Sequence, residues 1–307
     1  GSYYGSLLVY GILGGLFLIN IFNFFDGYAP FVFSMTIFTV GGCLAFLNFG
    51  KIAEINFYLT VPIFGFIIYL LLISLPQVQA VNFLSNSHLF ANVNWFLPYG
   101  IWLFALSGFS VLPEARDIFS GSSIKKFKRV IWASLLIAVV FYSVFIFTIL
   151  GVSGTLTTED ALSGIAALMG GKALLIGSII GFLAIFTSYV ALATDLKGIF
   201  EYDYKFSPAA SWVAAVVPPA VLFLIGINGL AIILGLIGTF GIGALGIFII
   251  FMRRSASKMA KNGDTSSILK PIDGGRIKTN GVLEGIVLVS LISAVIYDIY
   301  KIIDRLV

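Results

Sequence analysis

Apolar residues run through this chain in long blocks, parted by short polar breaks. Nine such blocks lie at 4–25, 30–48, 53–75, 95–112, 130–152, 173–194, 209–226, 229–252 and 281–299. Each is near the roughly 20 mostly apolar residues that an α-helix needs to cross a bilayer. Each is bounded by polar, charged, Gly or Pro residues. Irregular backbone cannot face lipid, because its N–H and C=O groups would find no partner there, so runs of this length read as helices. A membrane β-barrel would show alternating segments of roughly 10 residues, and none is evident. The pattern predicts an all-α, polytopic membrane protein of about nine transmembrane helices, with 1–307 as a single transmembrane domain and no soluble catalytic domain.

Composition agrees with lipid as the main solvent. Only 10% of residues are charged and 59% are hydrophobic, against roughly 25% charged in a soluble domain. The mean hydropathy is +1.06. The 30 Phe suit lipid-facing surface, and the 33 Gly suit close helix packing. The net charge of +4 is a matter of placement. With the N-terminus in the cytoplasm and sides alternating, 15 Lys and Arg fall inside and 3 outside. That bias is the positive-inside signal, so the basic excess sets topology and does not point to nucleic acid. The expected location is the cell (inner) membrane. The chain opens Gly1-Ser2-Tyr3-Tyr4 without Met, which reads as a missing native start.

One Cys and one His limit the chemistry. Cys43 excludes an internal disulfide and, within an apolar stretch, reads as a small buried residue. His88 falls in the polar segment 76–94. One Cys and one His in separate segments make no metal site. No metalloprotease His pair, carboxylate pair or Ser/His pair lies within the spans, so no enzyme and no cofactor is expected. The blocks also lack Asp, Glu, Lys or Arg near their middles; Glu54 and Glu284 sit near helix ends. A proton-pumping subunit would carry ionisable groups at mid-depth.

Chemistry could sit in the fourth block, where Ser107-Gly108-Phe109-Ser110 interrupts the apolar run. Gly lets the backbone leave helical geometry, and the Ser hydroxyls can cover carbonyls left behind. A break at membrane depth exposes helix ends whose partial charges hold a carboxylate or cation without an ionised side chain. The same four residues serve equally as a kink that only packs against a neighbour. In the sixth block, Thr187 and Ser188 could coordinate a small cation or hydrogen-bond a ligand. The commoner fate of such hydroxyls is a bond to the preceding helical turn. Gly235, Gly238, Gly241 and Gly243 read as a packing seam.

Together these segments resemble the amino acid–polyamine–organocation superfamily of permeases, nearest the aromatic and hydroxy amino acid permease branch. Pro98-Tyr99-Gly100 through Leu112-Pro113-Glu114 is similar to that family's unwound sixth helix. Phe186-Thr187-Ser188-Tyr189 through Phe200 is similar to its eighth, and Lys51-Ile52-Ala53-Glu54 to its fifth. The resemblance implies a leucine-transporter-like fold of two five-helix inverted repeats. The nine blocks would then be family helices three to eleven, with the first two missing and the chain truncated. It implies a secondary active transporter of neutral or aromatic amino acids, an ion-coupled symporter working by alternating access. Phe104, Ser107, Gly108, Phe109 and Ser110 would bind substrate, with Phe104 and Phe109 forming the side-chain pocket. Thr187 and Ser188 would face the ion, H+ or Na+. The alternative is a non-transporting membrane scaffold or an inactive permease fragment. Oligomeric state is not readable from apolar surfaces that lipid and partners share.

Overall fold

The computed structural model describes residues 2–23, 27–46, 52–84, 96–108, 112, 115–116, 119, 123–166, 170–261 and 281–306. Among these residues all regular structure is helical. The α-helices, in chain order, are α1 (Ser2–Phe22), α2 (Ala29–Phe46), α3 (Ile52–Ser74), α4 (Val81–Leu84), α5 (Leu97–Ala105), α6 (Ile124–Ser153), α7 (Gly171–Tyr202), α8 (Pro208–Leu224), α9 (Leu230–Leu236), α10 (Ala244–Lys261) and α11 (Gly281–Leu306). A π-helical segment, Ile237–Gly243, joins α9 to α10.

Seven stretches among the described residues are long and apolar enough to cross a membrane. They are Ser2–Phe22, Ala29–Phe46, Tyr58–Gln77, Ile124–Leu156, Gly171–Tyr202, Leu230–Ala256 and Gly281–Tyr300. This is a polytopic helical membrane protein. The two remaining apolar blocks form shorter helices. Pro208–Leu224 has 17 residues, and in the block at 95–112 the helix Leu97–Ala105 has 9 residues. Local chemistry sets several ends. Ser207 accepts the Ala210 N–H at 3.3 Å ahead of Pro208, a side-chain N-cap with proline at the first helical position. Ser123 does the same for Lys126 at the start of α6, at 3.4 Å.

The residues group into two compact units. One comprises Tyr3–Leu89 and Val139–Ile233, the other Phe90–Ala138 and Leu234–Val307. In the first unit α7 packs against α2, α3 and α8, and α8 packs against α2. Its core joins Phe17, Phe66, Leu70, Ile149, Val152, Leu162 and Ile165. α1 meets α2 backbone to backbone: a Cβ on Gly15 would stand 2.8 Å from Ser34 N, the close approach that small residues permit in lipid. Carbonyls at the end of α2 find donors on other helices. Trp212 Nε1 donates to Gly42 O at 2.7 Å, and the buried Lys197 Nζ donates to Phe46 O at 3.3 Å. A cation at a helix C-terminus also meets the negative end of the helix dipole. Beyond α7, Phe200, Tyr204 and Phe206 pack together with ring centroids 5.7–6.3 Å apart, and Tyr202 and Tyr204 are exposed.

In the second unit the π-helical segment packs against α5, α10 and α11. A Cβ on Gly100 would meet the carbonyl of Gly235, and one on Gly238 would meet that of Gly100. Gly235 and Gly238 thus form the expected packing seam, and its partner is α5. Tyr99 Oη donates to Ser290 Oγ at 3.0 Å, tying α5 to α11. Glu284, nearly buried, draws Arg254 Nε to 3.1 Å and Arg253 Nη1 to 3.5 Å, which fastens α10 to α11. Cys43, expected to be buried, is exposed on α2; an apolar stretch in a membrane helix has a lipid face as well as a packed one. His88 and the segment 85–95 lie outside the described residues.

Candidate functional site

α5 enters the apolar block behind Pro98 and stops at Ala105, although Leu106, Val111 and Leu112 would prolong its apolar run. Leu106 N–H still bonds Trp102 O at 3.0 Å. Ser107 N–H then turns to Phe104 O at 3.1 Å, and Gly108 N–H to Leu106 O at 2.9 Å. Ser107 Oγ also donates to Phe104 O, at 2.7 Å. The side chain therefore gives a second donor to a carbonyl at the helix end that already accepts the Ser107 N–H, a use of Ser expected from its short reach. Ser107 and Gly108 lie outside helix, and Gly108 has open space where a Cβ would stand.

A cavity of about 430 Å³ opens at this point, within the range of small-molecule sites. Tyr99, Trp102, Leu103, Leu106, Ser107 and Gly108 line it from the α5 side, and Ile131, Ser134 and Leu135 of α6 line it opposite. Two expected substrate residues, Ser107 and Gly108, are thus brought together on one wall. Phe104 is half-buried and lies outside the lining; the aromatic surface comes from Tyr99 and Trp102. Phe109 and Ser110 lie outside the described residues.

Thr187 and Ser188 belong to the other unit and occupy an unbroken stretch of α7. Thr187 Oγ1 donates to Leu183 O at 2.8 Å and Ala184 O at 3.1 Å, and Ser188 Oγ to Ala184 O at 2.8 Å. Their protons are committed to the preceding turn. Each oxygen keeps lone pairs, and no group of three or more His, Cys, Asp or Glu that could hold a metal ion occurs among the described residues.

Two buried carboxylates went unnoticed in the sequence. Asp160 sits in the connection after α6 and is saturated. Its Oδ2 accepts from Asn20 Nδ2 at 2.9 Å, Ser163 N at 3.1 Å and Ser163 Oγ at 2.5 Å, and its Oδ1 accepts from Thr158 Oγ1 at 2.6 Å. A cavity of about 350 Å³ lies beside it, walled by Asn20, Pro30, Glu159 and Asp160. Here the carboxylate orders the loop, since every donor comes from α1 or the loop itself.

Asp298 lies at the end of the last apolar block, where the expectation of no acid near the middle of a block does not reach. α11 continues past that block to Leu306, and Asp298 on it is only 4% exposed. Its Oδ2 is hydrogen-bonded to Thr239 Oγ1, in the middle of the π-helical segment. Thr239 is itself 2% exposed and also donates to Gly235 O at 3.0 Å. Intramembrane acids are rare and mark ion or proton paths, and π-helical turns concentrate at functional sites. The signal available was the Gly-rich run around Thr239 together with an acid at the end of the last apolar block. Compared with protein-family models, curated proteins and solved structures, the chain matches none.

Proposed function

We propose that this protein is a secondary active transporter of a neutral amino acid, with aromatic side chains the best fit. The observation that carries this reading is the early stop of α5 at Ala105, where Ser107 and Gly108 leave the helix beside a cavity of about 430 Å³ walled by Tyr99 and Trp102. A broken helix offers backbone dipoles to a zwitterion's charged groups, and two aromatic rings offer a stacking surface to its side chain. Among the described residues the lining holds no Lys, Arg, Asp or Glu, so charge there would be met by peptide groups, as a net-neutral solute requires. The resemblance of 98–114 and 186–200 to amino acid–polyamine–organocation permeases supports the same reading. So does the positive-inside charge bias, which fits an N-terminus in the cytoplasm. The fold proposed with it is a partial five-plus-five inverted repeat of about nine spans in the inner membrane. Transport proceeds by alternating access, coupled to H+ or Na+.

Uptake of labelled phenylalanine, tyrosine and tryptophan into proteoliposomes tests the proposal. Gly108→Leu is the informative variant. Among the described residues, chain neighbours aside, no atom lies within 4 Å of a Cβ built there, so the fold accepts it while the cavity fills. Uptake should collapse with thermal stability unchanged. Normal uptake in Gly108→Leu would remove 107–108 from the substrate path. A non-transporting scaffold is the second reading, favoured by the back-bonded hydroxyls of Thr187 and Ser188. It requires no uptake of any of the three amino acids by the unmodified protein.

A further inference from the structure

Thr239 has one hydroxyl proton and three neighbours that can only accept it while Asp298 is ionised: Gly235 O at 3.0 Å and Leu236 O at 3.5 Å on the preceding turn, and Asp298 Oδ2. Thr and Ser elsewhere in these helices place that proton on the preceding turn, as Thr148, Ser153 and Thr194 do at 2.8 Å. If Thr239 does likewise, the contact with Asp298 is a hydrogen bond only when the carboxyl supplies a proton of its own. If Asp298 is ionised, the Thr239 proton turns to the carboxylate and Gly235 O loses it. Each state of the acid therefore fixes one orientation of the hydroxyl.

We propose that Asp298 is an intramembrane proton-binding site, and that its occupancy decides whether the Thr239 hydroxyl donates to Gly235 or to the carboxylate. The balance is simple. One proton joins a carboxylate oxygen, the Thr239 proton rotates from Oδ2 to Gly235 O, and no bond between heavy atoms changes.

The surroundings suit a proton. Asp298 and Thr239 are both buried, and among the described side chains no ion pair reaches Asp298. α9, the π-helical segment and α10 carry no charged residue from Gly229 to Met252, and α5 contributes only Tyr99 as a titratable group. Arg253 and Arg254 are held by Glu284, fourteen positions before Asp298 on α11. Lys258 and Lys261 lie further along α10. On its own helix Asp298 is flanked by Tyr297 and Tyr300, with Lys301 at i+3 and Asp304 and Arg305 beyond. A proton needs only one hydroxyl partner, whereas Na+ needs several oxygen ligands at once.

The position gives the proton something to act on. Gly235 O, the group that gains or loses the Thr239 bond, lies where a Cβ on Gly100 would stand. Gly100 belongs to α5, which ends at the 107–108 break and the cavity. Protonation at Asp298 thus changes the hydrogen bonding of a carbonyl in contact with the helix that leads to the proposed substrate site. This coupling role rests on the transport reading; the proton site itself does not.

Two measurements separate them. Infrared spectra of the purified protein in lipid, collected across pH, should show a titrating carboxylic C=O band. It should vanish in Asp298→Asn and change frequency in Thr239→Val. Should every such band survive in Asp298→Asn, or Thr239→Val leave the band where it was, the proton site is wrong whatever the protein transports. In proteoliposomes under an inward gradient of one pH unit, the unmodified protein should accumulate labelled tryptophan up to about tenfold, the ratio one proton per solute supports. Asp298→Asn should still exchange tryptophan across the membrane but lose the accumulation. Accumulation equal to wild type in Asp298→Asn, or dependent on Na+ and indifferent to pH, overturns the coupling. No uptake by wild type together with an intact titrating band defeats the transport reading alone and leaves the proton site standing.

Discussion

Three glycines of the second unit have different tolerances. Gly238 has the Gly100 carbonyl where its Cβ would be, and Gly100 has the Gly235 carbonyl. The obstacles are backbone, which cannot rotate away. Gly238→Ala should therefore force α5 from the π-helical segment at a cost of about 1–3 kcal/mol. Gly108 faces open space, so Gly108→Ala should leave stability unchanged. Thermal unfolding in one detergent compares them; equal midpoints for Gly238→Ala and wild type would contradict the contact. The break at Ser107-Gly108 was legible because small and hydroxylated residues interrupted an otherwise apolar run. The pairing of Asp298 with Thr239 was not. It depends on the register between α11 and a distant segment, and Lys301 made the apolar block seem to end at 299. Phe104 illustrates the same limit: its type suits an aromatic pocket, but its place on the helix turns Trp102 and Leu103 to the cavity instead.

At the scale of elements, the long α-helices followed from apolar length alone, since lipid leaves no other way to pair so many backbone groups. What length could not reveal is where helical geometry changes inside a block. The run from Leu230 to Met252 is one apolar stretch in sequence but contains seven π-helical residues, and Gly and Ile there suit either form. The ion pair between α10 and α11 gives an element-scale prediction. Glu284 is nearly buried, while Arg253 and Arg254 are 44% and 40% exposed. Water shares in solvating the arginines, so Glu284→Gln should cost only about 1 kcal/mol, less at high salt. Hydrogen exchange should quicken at the start of α11 and the end of α10. A large loss of stability that salt leaves untouched would mean the carboxylate does more than pair two arginines.

For the whole molecule the open quantity is the number of crossings. Pro208–Leu224 has 17 residues and reaches about 26 Å, against a hydrocarbon core of roughly 30 Å. A local thinning of the bilayer closes such a gap at small cost. In a Cys43→Ser background, Glu159→Cys and Lys258→Cys should label from opposite sides, because α7, α8 and the α9–α10 run would make three crossings between them. An impermeant maleimide applied to intact cells and then to opened ones reads this; labelling from the same side means that α8 does not cross. α7 poses the reverse problem. Its 32 residues reach about 48 Å, far more than the oily layer can hold. The surplus emerges at the end bearing Lys197 and Glu201, just where Tyr202, Tyr204 and the Phe200–Phe206 stack gather. Rings of this kind settle among lipid headgroups. They act as a float that fixes how deep the long helix rides, so a thicker or thinner host bilayer would be felt first at that collar.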